Sequence, residues 1–327
     1  MKLLDVEIAP LGMGCWPIGG PMFAGAQPLG YTNADDGESI RAIHAALGAG
    51  ITLFDTATVY GAGHAERLLA RALRGRPEAL VTTKIGIAID EDRRQLLGEE
   101  TDPRSVSPAI DRCLTRLERD RIDVLFLHIN DLPVPQAEPL FEAMERAWRA
   151  GKVRAYGWST DLSASVRAVA DRPGFMAVQH AMNIFIDAPG MQATVQEKGL
   201  HAFIRSPLGM GLLTGKYDAV SVMPVGDIRA TANTVTGYFR DARPNPLFLA
   251  QLDAVRDLLT IAGRTPAQGA LSWLWAKSER NIPIPGARTV AQIEGLAGAL
   301  AFGPLPADVM AEIERVLARQ PEEERPR

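Results

Sequence analysis

The chain has 327 residues, 46% of them hydrophobic and 23% charged, which is the balance of a folded protein rather than a disordered one. A net charge of −4 leaves no basic footprint for nucleic acid or an anionic membrane. Two distant cysteines, Cys15 and Cys113, exclude a disulfide framework and a CxxC zinc site.

Asp5 and Glu7 interrupt the opening apolar run, so no signal peptide is expected, and no stretch is apolar for long enough to cross a bilayer. The expectation is a cytoplasmic enzyme or small-molecule binder. Along the chain, strand-like runs occur at 11–16, 51–56, 79–85, 122–128, 153–159, 175–180, 200–205 and 281–285. Most are apolar and turn polar at their C-terminal ends, which suits strands buried on both faces. Helical periodicity separates many of them, at 65–73, 108–119, 138–150 and 266–277. Within 108–119, Ile110, Cys113, Leu114 and Leu117 recur at helical spacing, with Pro108 in the first turn. Thr265 is a suitable N-cap for the helix opened by Pro266.

Eight strands alternating with helices predict an α/β fold of the (β/α)₈ TIM-barrel type, with its active site at the C-terminal rim. A doubly wound sheet would want a glycine fingerprint, and neither Gly12-Met13-Gly14 nor Gly61-Ala62-Gly63 reaches a third glycine. The segment 218–246 is long, rich in Gly, Pro, Thr and Asn, and unperiodic, and reads as a lid over the barrel mouth. A single barrel domain is expected over 1–319, followed by a flexible charged tail at 320–327.

Polar residues at or near the strand ends include Asp55, Lys84, His128, Ser159, Gln179 and Arg205, with Tyr60 on the loop after the second strand. Singly, each has a structural explanation: a helix cap, a snorkelling lysine, a core histidine, a packing tyrosine. On one rim they make a proton-donor and oxyanion site. A phenol of pKa about 10 is a weak acid, and a neighbouring ammonium is expected to lower that value. A carboxylate keeps the lysine charged, and His128 can donate to a carbonyl oxygen that gains charge. The set holds neither a nucleophile-base pair nor a metal cluster, so a hydride from a nicotinamide is the expected electron source.

These residues carry a family resemblance. The motifs are Leu11-Gly12-Met13-Gly14-Cys15-Trp16, Phe54-Asp55-Thr56-Ala57 with Tyr60-Gly61, Thr83-Lys84 and Leu127-His128. Downstream follow Gly151-Lys152-Val153-Arg154, Ser206-Pro207-Leu208, Gly211 to Tyr217, and Ile284-Pro285-Gly286-Ala287-Arg288 with Gln292. In this order the chain resembles an aldo-keto reductase from about Leu11 to Leu305. The resemblance implies NADPH-dependent (NADP+-forming) reduction of a small carbonyl substrate. It also implies a catalytic tetrad of Asp55, Tyr60, Lys84 and His128, with Tyr60 as general acid. Cofactor contacts are implied at Cys15 and Trp16. Ser159, Thr160 and Gln179 would hold the nicotinamide carboxamide, and Arg205 would flank the ring. Ser206, Pro207, Leu208, Gly209, Met210 and Lys216 would wrap the pyrophosphate. Gly286, Arg288 and Gln292 would reach the 2′-phosphate end.

Three departures from the family pattern stand out: Arg205 in place of an aromatic residue, Thr160 in place of Asn, and Gly295-Leu296 in place of Glu-Asn at the adenine. Gly215-Lys216 is followed by Tyr217, so this is no P-loop. Two other functions fit the same chain. One is an NADPH-binding sensor of the same fold with little turnover, which the intact tetrad disfavours. The other is a Schiff-base lysine, which needs the neutral amine that Asp55 opposes. Trp16, Phe185 and Tyr238 are candidate apolar walls. No metal is expected, and the oligomeric state stays open.

Overall fold

The computed structural model describes residues 1–231, 237–319 and 322. Eight parallel strands form one sheet in sequence order: β1 (Met13–Gly14), β2 (Leu53–Asp55), β3 (Leu80–Ile85), β4 (Ile122–Leu127), β5 (Val153–Ser159), β6 (Phe175–Ala181), β7 (His201–Arg205) and β8 (Asn281–Pro283). The sheet closes on itself. Gly12 and Gly14 N–H donate to the carbonyls of Pro283 and Pro285, each at 2.9 Å. A side chain at Gly14 would lie 2.6 Å from the Ile284 carbonyl, so glycine permits the closure.

Period-two alternation divides the strands between two apolar layers. Leu53, Val124, Phe126, Phe203 and Ile282 fill the barrel interior, with Leu3 packed among them. Leu3 belongs to an antiparallel hairpin of Lys2–Leu3 and Val6–Glu7. Phe54, Val81, Leu125 and Ile204 belong instead to the larger cluster that the helices share. Those helices are α1 (Asp36–Gly48), α2 (His64–Ala72), α3 (Val106–Leu117), α4 (Val134–Arg149), α5 (Ser163–Val169), α6 (Pro189–Lys198), α7 (Pro246–Leu259), α8 (Pro266–Lys277), α9 (Val290–Ala297) and α10 (Ala307–Leu317). The cap expected at Thr265 is a full capping box with Gln268. α4 starts four residues before the expected position and runs through Pro139, because Pro135 in its first turn seeds the helix upstream.

Two rim segments that follow β1 and β3, within 17–34 and 85–101, build a four-stranded sheet. Its strands are Gln27–Pro28, Phe23–Ala24, Gln95–Glu99 and Ile87–Asp90, in that spatial order. Of the expected lid, residues 232–236 lie outside the described residues. Its described part crosses to the first of these segments, where Ile228 N–H donates to the Gly30 carbonyl at 2.9 Å. The tail at 320–327 lies outside the described residues apart from Glu322, which accepts from Gly190 N–H at 2.7 Å.

The loop after β2 turns sharply at Gly61, where φ is +64° and a side chain would stand 1.8 Å from the Gly19 carbonyl oxygen. Gly61→Ala is therefore expected to cost on the order of 3 kcal/mol through clash and strain together. A urea midpoint within error of the wild type would refute that close approach.

Candidate active site

Asp55 ends β2, Lys84 lies near the end of β3, and His128 follows β4, so three adjacent strands deliver them to one rim. Lys84 is 1% exposed. Its Nζ donates to Asp55 Oδ2 at 2.7 Å, to the Thr56 carbonyl at 2.7 Å and to Tyr60 Oη at 3.1 Å. Asp55 Oδ1 accepts from Thr82 Oγ1 and from Gln179 Nε2, both at 2.8 Å. The Tyr60 ring stacks on Trp16 (centroids 5.8 Å apart, planes 16° apart) and meets the His128 ring edge-on at 6.4 Å.

Burial lowers the affinity of Lys84 for its proton, but Asp55 and Tyr60 outweigh it and hold the ammonium above its ordinary value. A protonated, enclosed lysine does not suit imine chemistry. Tyr60 corrects the expected direction. Burial pushes its phenol up, the Lys84 charge pulls it down and Asp55 pushes it up again, leaving it above the ordinary 10. His128 lies well below the usual 6.5 because burial and then the charges of Lys84 and Arg205 disfavour imidazolium. At neutral pH the rim thus carries a protonated phenol, an ammonium and a neutral imidazole.

A consequence is a flat pH profile. If Tyr60 serves as the proton donor the resemblance implies, donation is available below its raised pKa and lost as pH rises through it. A neutral His128 is available above its depressed pKa and lost as pH falls through it. Between about pH 6.5 and 10, kcat for reduction should therefore stay level. An inflection inside that window that Tyr60→Phe abolishes would show the phenol titrating there.

The tetrad opens into a cleft of about 680 Å³, a volume in the range of small-molecule and cofactor sites. It brings together many of the expected contacts: Trp16, Ser159, Gln179, Arg205, Ser206, Pro207, Leu208, Met210, Lys216, Gly286, Arg288 and Gln292 all line it. Along the segment that should wrap a pyrophosphate, Ser206, Gly209, Met210, Gly211 and Gly215 all have positive φ, between +53° and +99°. These left-handed residues fold the segment into tight turns, with the N–H groups of Gly209, Gly211, Leu213 and Gly215 held by its own carbonyls, and Lys216 lines the cleft beside them. The residues present fit a dinucleotide.

Three expected contacts do not reach the cleft lining. Thr160 is fully buried, its hydroxyl donating to the Asn130 carbonyl and accepting from Leu162 N–H. Cys15 packs into the outer apolar cluster, and Gly209 turns against the Phe185 ring. Each is displaced by strand or turn geometry that points its neighbour at the cleft instead. Two candidate walls move as well. Phe185 and Tyr238 pack on Phe248, with centroids 4.9 and 5.2 Å from it.

Arg205 lines the cleft, but its guanidinium is paired with the buried Asp161 rather than standing alone beside a ring site. Asp161 also accepts from Asn130 Nδ2 at 2.8 Å and Ala181 N–H at 2.7 Å. Sequence reasoning missed this triad, and it missed Thr82. Thr82 was findable, since two residues before Lys84 on one strand is the same face. Met22, Leu29, Val59, Leu96 and Ile228 also went unseen as lining residues. Among the described residues no cluster of His, Cys, Asp and Glu could hold a metal, and no helix is long and apolar enough to cross a membrane.

Residues 10–318 match a family described as the Aldo/keto reductase family. The chain is 30% identical over 307 residues to aldo-keto reductase YhdN of Bacillus subtilis, covering 89% of this chain and 85% of that protein. It is 28% identical over 313 residues to aldo-keto reductase yakc of Schizosaccharomyces pombe, whose name carries NADP(+), covering 91% and 86%. Among solved structures, the glycerol dehydrogenase AKR11B4 from Gluconobacter oxydans aligns with a TM-score of 0.80 at 26% identity, covering 98% of this chain and 95% of that one.

Proposed function

The chain belongs to the aldo/keto reductase family, and from that premise we propose that it reduces an aldehyde or ketone with NADPH, using Tyr60 as the proton donor. The observation that carries this reading is the line of contacts Asp55–Lys84–Tyr60, at 2.7 and 3.1 Å, opening on the cleft. The NADP(+) named for the fission-yeast relative supports the cofactor choice.

When bound, the nicotinamide supplies hydride; the protein's own residues manage the oxygen. A carbonyl oxygen between Tyr60 and His128 meets two donors where negative charge develops. As that charge grows, the Tyr60 proton passes to the oxygen, and the phenolate left behind lies beside the Lys84 ammonium. Asp55 keeps that ammonium charged, and Thr82 and Gln179 keep Asp55 in place. Ser206 to Lys216 would hold the pyrophosphate, and Arg288 with Gln292 the far phosphate.

The cleft lining includes an apolar set, Trp16, Met22, Leu29, Val59, Leu96 and Ile228, and the first of these stacks on Tyr60. That supports a carbonyl on an apolar body over a polyol. A panel of aldehydes and ketones, followed by loss of NADPH absorbance, tests the reading. Cofactor binding without turnover of any of them would favour the sensor function instead.

A further inference from the structure

A set of buried charges that none of these steps uses lies behind the loop carrying Tyr60. Glu66 of α2 is fully buried, and Arg116 of α3 is 6% exposed. Arg116 Nε donates to Glu66 Oε2 at 2.5 Å, its Nη1 to Glu91 Oε1 at 3.0 Å and its Nη2 to Thr58 Oγ1 at 3.2 Å. The other oxygen of Glu66 accepts from Thr83 Oγ1 at 2.7 Å.

The partners are what give this network meaning. Thr58 stands two residues before Tyr60, and Thr83 immediately precedes Lys84 on β3. One guanidinium therefore grips the loop of the proton donor, while its carboxylate partner grips the strand of the lysine. The same loop backbone is moulded to the arginine stem. At Gly63, where φ is +82°, a side chain would lie 2.6 Å from Arg116 Cδ. A buried ion pair is weak evidence for stability, since apolar replacements of similar volume are often neutral or better. A planar fork with three fixed directions does something apolar packing cannot: it sets an orientation.

We propose that Arg116 is a positioning residue for proton transfer. Through Thr58 on one side and Glu66–Thr83 on the other, it fixes the Tyr60 hydroxyl against the Lys84 ammonium. This rests on the reading of Tyr60 as the proton donor.

Arg116→Lys keeps a cation opposite Glu66 but cannot reach Glu66, Glu91 and Thr58 together. In the full-length protein, kcat for reduction should fall roughly 10–100-fold, the scale of a small misplacement at the reacting atoms. The Kd for NADPH, read by fluorescence quenching, should stay within about twofold. The decisive readout is non-additivity: in a Tyr60→Phe background, Arg116→Lys should lower kcat no further, because the group it positions is gone. Equal losses in both backgrounds, or an unchanged kcat in a folded Arg116→Lys protein, would overturn the proposal. If Arg116→Lys does not fold, Thr58→Val removes the loop contact alone and is read the same way. A Tyr60→Phe enzyme with wild-type turnover would instead sink the proton-donor reading beneath it, an outcome distinct from additive losses.

Discussion

Tyr60→Phe should lower kcat for carbonyl reduction by about 10²–10⁴-fold, the range for loss of a general acid, and leave NADPH binding nearly unchanged. Phenylalanine keeps the ring stacked on Trp16 and edge-on to His128, so the wall of the cleft survives. Removing the hydroxyl leaves Lys84 with Asp55 and the Thr56 carbonyl, both at 2.7 Å, so no buried cation is orphaned. The loss should therefore appear in turnover rather than in stability. Stopped-flow reduction and a cofactor titration on the same preparation separate the two. Near-normal turnover under conditions where hydride transfer is rate-limiting would remove Tyr60 from its assigned role.

The raised phenol pKa gives that prediction its direction. An unassisted tyrosine would be a reluctant donor, and reasoning from the sequence alone weighed the Lys84 charge without the burial that opposes it. With both included, the phenol is protonated at neutral pH, and on the proposed mechanism it would give up its proton only as charge develops on the substrate oxygen. Lys84 would then act on the product of the transfer, the phenolate, more than on the resting acid.

Asp55, Lys84 and His128 were legible because each breaks an apolar strand at its C-terminal end, a pattern that only a polar rim makes worthwhile. The eight strands were legible for the same reason. Two expected cofactor contacts outside the cleft lining each stand one residue past a residue that lines it. Cys15 follows Gly14 and Thr160 follows Ser159, and successive positions at a strand end face opposite sides. What stayed hidden depends on distance along the chain. Phe23 pairs with Gln95 in the rim sheet, and Asp161 meets Arg205 from the end of another strand. No local propensity encodes such meetings.

The far end of the cleft carries the strongest test of cofactor choice, and the structure alters its basis. A helix N-terminus favours anions through its free N–H groups and dipole, and that of α9 follows Arg288 directly. Its Val290 N–H instead donates to Glu38 Oε1 of α1 at 2.9 Å, and its Gln292 N–H to Thr289 Oγ1 at 3.3 Å. The backbone amide contact of Val290 thus already holds a carboxylate. Recognition of a phosphate there would then fall to Arg288, whose guanidinium is braced by the Thr32 carbonyl at 2.5 Å and whose backbone N–H is capped by Gln292. Gly295 and Leu296 line the same end and bring no charge to it. Arg288→Ala should weaken NADPH by about 1.5–3 kcal/mol, the worth of a hydrogen bond to a charged group, or roughly 10–150-fold in Kd. NADH, which lacks the phosphate, should lose little. Equal losses for both cofactors, or a wild-type preference for NADH, would move the phosphate away from Arg288 and leave the tetrad untouched.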